Sequence, residues 1–140
     1  MEQHTVYLIT PGAERVVGQM SYDEDTDNCQ VTLAFLTTTL TTTAEDYFAA
    51  LCNIRQQLET RGILLRCYGA SKNVYPSGMG RDMSLGLKAY KLTLGQPAKT
   101  SDLVFIFDTD ANVIPASVSE QVVFFETWLA SLKQGQESQN

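Results

Sequence analysis

Three runs of strand-forming residues follow one another at the start of the chain, with only short turns between them. Thr5-Val-Tyr-Leu-Ile-Thr10 is rich in β-branched and aromatic residues and halts at Pro11-Gly12, a turn signal. Glu14-Arg-Val-Val-Gly-Gln-Met-Ser-Tyr22 supplies a partner strand, and Asp23-Glu-Asp-Thr-Asp-Asn28 an acidic turn. Cys29-Gln-Val-Thr-Leu-Ala-Phe-Leu36 then alternates, with Val31, Leu33 and Phe35 on one side and Gln30 and Thr32 on the other. Connections this short are too brief for the crossover that parallel strands need. They predict an antiparallel meander.

A helix is expected next. Thr42 with Glu45, or Thr43 with Asp46, has capping-box spacing, and Tyr47, Leu51, Ile54 and Leu58 form one apolar stripe. Gly62 is a natural stop, because glycine takes the left-handed conformation freely. Residues 63–68 and 87–94 read as strands, and Leu103-Val-Phe-Ile-Phe107, the most hydrophobic run, as a central one. Between them, residues 79–85 suit a short helical turn closed by Gly86. Ser117 and Glu120 form a second capping box, followed by an apolar face of Val118, Val122, Phe125, Leu129 and Leu132, with Trp128 beside it. The order is βββαβββα. It predicts an α+β fold: a mostly antiparallel sheet of about six strands with two main helices packed on one face. Residues 1–133 are expected to form one domain, and 134–140 a polar, frayed tail.

Composition narrows the class. An apolar fraction of 44% and a charged fraction of 19% fit a folded globular chain. The longest uncharged stretch, Cys29–Ala44, has six threonines between Thr37 and Thr43 and is too polar for a membrane span. The first residues lack the basic and apolar regions of a secretory signal, so a cytoplasmic location is expected. Cys29, Cys52 and Cys67 show no paired spacing, which argues against a disulfide framework or zinc site; Cys52 and Cys67 read as buried thiols. Net charge is −6, but it is segregated: residues 1–54 sum to −7, 55–99 to +6 and 100–140 to −5. The acidic blocks would repel phosphates, so nucleic acid is not an expected partner, whereas an acidic face could steer a basic protein.

Motifs for chemistry are incomplete. Asp108-Thr-Asp110 after a hydrophobic strand has the DxD of haloacid-dehalogenase-like phosphatases, yet Asn112 stands where that pattern wants Thr or Val. A polar turn accounts for it. Gly78, Gly80 and Gly86 fit neither dinucleotide nor P-loop spacing, and Ser77 lacks the preceding glycine of a nucleophile elbow. The Asp23–Asp27 turn misses the Gly and Glu of a calcium loop, having Asn28 and Ala34 there. His4 is the sole histidine, in a segment expected to fray. No cofactor or metal is expected, and no catalytic residue is assigned.

What stands out is the loop between two strand-like runs, carrying Tyr75, Pro76, Met79 and Arg81. Such loops between rigid elements tend to bind. Residues 66–83, with the core Asn73-Val-Tyr-Pro-Ser-Gly-Met-Gly-Arg-Asp-Met83, followed by residues 86–95 and 103–108, resemble a family of small bacterial immunity proteins. Those proteins accompany polymorphic toxins of the Rhs, type VI secretion or contact-dependent type. The matching portion covers about a third of the chain. The resemblance implies a cytoplasmic antitoxin that binds a toxin domain and occludes its active site or substrate entry; the chain itself is expected to be a monomer or weak homodimer. An ADP-ribosyltransferase or nuclease toxin is the expected partner. Candidate contacts are Asp23, Glu24, Asp25 and Asp27 on the acidic side, and Lys72, Tyr75, Met79 and Arg81 on the basic side. The alternative is a small enzyme or ligand-binding module with a polar pocket of Lys72, Arg81, Asp108 and Asp110.

Overall fold

The computed structural model describes residues 3–12, 15–24 and 28–137. It has the expected α+β architecture, with eight strands divided between two antiparallel sheets rather than about six in one. β1 (Gln3–Ile9), β2 (Arg15–Glu24) and β3 (Cys29–Phe35) are the predicted meander. A further strand, β4 (Thr38–Ala44), pairs with β3 through a two-residue loop, Leu36-Thr37. The threonine run is therefore a strand and not a helix approach; β-branched residues suit the pleat whether or not they are apolar. Leu36 holds the loop at φ +49, where a glycine is more usual. With β5 (Leu64–Arg66) added beside β1, the first sheet has the order β4-β3-β2-β1-β5.

Pairing fixes which residues share a face. Val6, Leu8, Met20, Val31, Leu33 and Leu65 turn inward and are buried. The outer face is polar, with Thr32 and Thr41 hydroxyls 3.0 Å apart across β3 and β4. Against the inner face lies α1 (Tyr47–Glu59), whose Tyr47, Leu51, Ile54 and Leu58 are buried as the stripe requires. Its N-cap is Asp46, which accepts from the Ala49 N–H at 2.7 Å, and neither threonine pair forms the box. The threonines are already committed to β4. Gly62 takes φ +72 after the helix, as expected.

The second sheet is small. β6 (Val74–Tyr75), β7 (Lys88–Lys91) and β8 (Leu103–Phe105) follow in that spatial order. The strand expected at 63–68 is confined to β5, because Tyr68–Ala70 coils into a 3-10 turn. The expected central strand 103–107 is instead the edge strand β8, and Ile106 and Phe107 leave it to enter the core. Hydrophobicity there reports burial against the first sheet, not a central position. His4 belongs to this junction: its ring lies 5.0 Å from Phe105 and 5.8 Å from Phe107, within β1 and not in a frayed end.

α3 (Val118–Glu137) begins with the predicted capping box: Glu120 N–H donates to Ser117 Oγ, and Ser117 N–H to Glu120 Oε1. It runs on to Glu137, into the segment expected to fray. The inward line of α3 passes through the buried Gln121 and Trp128 and the half-buried Phe125 and Leu132, a rotation from the predicted face that leaves Leu129 44% exposed. The cause is Gln121, 1% exposed, whose amide N–H groups meet the carbonyls of Gly69, Ser71 and Val74 at 2.8–3.0 Å. Arg55 of α1, 2% exposed, completes the knot. It donates to Gln121 Oε1 at 2.5 Å, Gly69 O at 3.1 Å and Ala116 O at 3.0 Å. Two polar side chains thus lock α1, α3 and the 69–74 segment together.

Candidate partner-binding site

The central loop is a rigid shelf. Ser77 caps α2 (Gly78–Met83), its hydroxyl accepting from Gly80 N–H at 2.8 Å, and the Ser84 hydroxyl closes the other end on Gly80 O at 2.7 Å. The chain then reverses through Leu85 and Gly86, at φ +55 and +76, so that Leu85 O accepts from Tyr47 N–H at 2.7 Å. Arg81 anchors the shelf. It pairs with Asp46 at 3.1 Å while that same carboxylate caps α1, and its guanidinium sits over the rings of Phe48 and Tyr75. A half-buried pair of this kind is stronger than a fully exposed one because water screens it less.

Gly86 is where the shelf meets α1. A Cβ there would lie 2.9 Å from Asp46 Oδ1 and 3.0 Å from the Phe48 nitrogen, on a left-handed backbone. Gly86→Ala is therefore expected to destabilise the fold by about 2 kcal/mol, read as a lower urea midpoint.

What this anchoring holds outward is apolar. Met79 is 71% exposed and Met83, one turn further on, 80%. Beside them Tyr75 stacks on Phe125 with ring centroids 4.1 Å apart and meets Phe48 edge-on at 5.3 Å. Tyr75 and Phe125 also wall a groove of about 300 Å³ with Pro76, Tyr90, Pro97 and Trp128. Trp128 Nε1 donates to Gln96 O at 2.9 Å, which fixes the groove's far wall. Aromatic and methionine side chains on a fixed frame are the composition of interface centres.

The structure brings together Tyr75, Met79 and Arg81 but not Lys72. Lys72 lines a separate depression of about 380 Å³ on another face of α3, with Glu120, Val123 and Phe124. Asp108 and Asp110 lie elsewhere again. Asp110 accepts from the Tyr68 hydroxyl and, at 2.7 Å, from Asn112 N–H, forming the polar turn that the sequence suggested. Burial together with the Asp110 carboxylate pushes Tyr68 up to about 12, while the Tyr68 and Asn112 donors hold Asp110 below the usual carboxylate range. Lys72, Arg81, Asp108 and Asp110 thus have different neighbours and do not share one pocket. Asp23 lies on the outer face of β2 opposite Gln30; Asp25, Asp27 and the Glu24 side chain lie outside the described residues.

Four participants were missed in the sequence. Asp46 went to a helix cap, Met83 was passed over, and Phe125 and Trp128 were assigned to the core. The i, i+4 spacing of Met79 and Met83 was the available signal for the second methionine. Among the described residues no group of His, Cys, Asp or Glu side chains is placed to hold a metal ion. Burial pushes the Cys67 thiol up to about 11, which keeps it protonated near neutral pH. No family model matches the chain, and no curated protein matches it. No helix among the described residues is long and apolar enough to cross a membrane.

Proposed function

We propose that this chain acts by binding, as an immunity protein that neutralises a toxin domain by occluding its active site or substrate entry. The observation that carries the proposal is the shelf: a half-buried ion pair, a helix cap and a left-handed turn hold two methionines in water beside an aromatic groove. A backbone already fixed loses little entropy on docking, and exposed methionines adapt to an opposing surface. The resemblance at residues 73–83 supports the same function and makes the partner a secreted bacterial toxin. The acidic blocks flanking the loop suit a basic enzyme, such as one acting on nucleic acid or NAD.

Chemistry by Asp108 or Asp110 is the competing account. In the structure Asp110 is engaged by Tyr68 and Asn112, as expected of a residue that shapes a turn. The test is co-expression with the product of the adjacent gene, which this proposal takes to encode the toxin domain, scored by survival. Asp108→Asn is expected to protect as well as wild type. Loss of protection by that variant, with the complex still forming, would establish an enzymatic mechanism and overturn occlusion.

A further inference from the structure

β4 leaves one side of the first sheet open. Its two-residue loop makes Phe35 and Thr38 a hydrogen-bonded pair, so alternation assigns Thr38, Leu40, Thr42 and Ala44 to the ladder with β3. The N–H and C=O groups of Thr39, Thr41 and Thr43 then point away from β3. These three residues are exposed, and none of them takes part in the backbone hydrogen bonds found outside the strand ladders among the described residues. The opposite end of the sheet is different: beyond β5 the chain continues through bonds from Tyr68 N–H to Asp108 O and Gly69 N–H to Ile106 O.

Natural edges are blunted by charge, proline, bulges or brevity. β4 has none of these: it spans seven residues, carries no charge or proline, and pairs with β3 without interruption from Phe35↔Thr38 to Cys29↔Ala44. Its sequence, Thr-Thr-Leu-Thr-Thr-Thr-Ala, also complements itself. A twofold axis at Thr41 places Thr39 against Thr43 of a second copy and Thr41 against its own counterpart. That register is the one in which the outward-pointing groups meet. Each copy contributes three N–H and three C=O groups, giving six hydrogen bonds by the pairing in β4. The outer face gains threonine pairs of the favourable kind, extending the Thr32–Thr41 contact. Glu45, the first charge after the strand, falls opposite Thr37 of the other copy and meets no like charge.

We infer that two copies of this chain associate through β4, antiparallel and isologous, into one continuous ten-stranded sheet. The contact is narrow, so the dimer is weak and concentration-dependent. This is independent of the toxin-binding shelf.

Light scattering on the purified full chain tests it. At roughly 100 µM, a concentration suited to a weak interface, wild type should approach twice the 15.5 kDa chain mass. Thr41→Lys and Thr41→Glu, each facing its own like charge across the axis, should both run at the single-chain mass with an unchanged circular-dichroism spectrum. Mixing the two variants should restore the dimer, a recovery that misfolding could not imitate. A wild-type protein that stays at the single-chain mass overturns the inference, as does a dimer that Thr41→Lys leaves intact.

Discussion

Arg55→Ala is expected to destabilise the protein by about 3–5 kcal/mol, a large share of a domain's stability. The side chain is 2% exposed and donates to two backbone carbonyls and the Gln121 amide oxygen. Removing it leaves Ala116 O and Gln121 Oε1 short of a donor in the interior, each worth about 1–3 kcal/mol, and opens a cavity as well. Gly69 O retains its bond from Gln121, which moderates the loss. Lysine does not rescue: a single ammonium cannot span acceptors arranged for a guanidinium fork. Urea unfolding measures the loss, and a change below about 1 kcal/mol would show that the buried network contributes little.

Arg55 and Gln121 also mark where the sequence stopped being legible. The inner faces of β1 and β3 and the stripe of α1 follow from periodicity, because apolar residues at those spacings have one place to go. A polar residue at a helical position carries no such instruction. Arg55 is buried because three acceptors from distant segments converge on it, and Gln121 because it satisfies three carbonyls of the 69–74 segment. That convergence rotated α3 away from its apolar face. β4 was hidden for a related reason: Thr38–Ala44 is a strand defined by β-branching and a tight hairpin, with only Leu40 to suggest a face.

The site was legible in part. Tyr75, Met79 and Arg81 were identified together and lie together, although Arg81 turns inward to Asp46 as an anchor. Asp46 and Arg81 are 35 residues apart, and nothing local couples them. Lys72 belongs to the same basic block in the chain but to a different face in the fold. Sequence proximity placed it in the loop; the coil at Tyr68–Ala70 and the turn that follows carry it elsewhere.

The second large effect concerns Met79 and Met83. Both are exposed and neither belongs to the buried core, so Met79→Glu with Met83→Glu should leave thermal unfolding essentially unchanged. The same double variant places two carboxylates in what is proposed to become a dry interface centre. Desolvating them without partners costs several kcal/mol.

Titration calorimetry of this chain against the toxin domain it is proposed to neutralise is therefore the most direct test. Wild type should form a tight complex, and the double variant should bind at least about 100-fold more weakly, or roughly 2.7 kcal/mol. Equal affinities for the two proteins would contradict the shelf as the binding surface, and an absence of any complex would contradict neutralisation by binding.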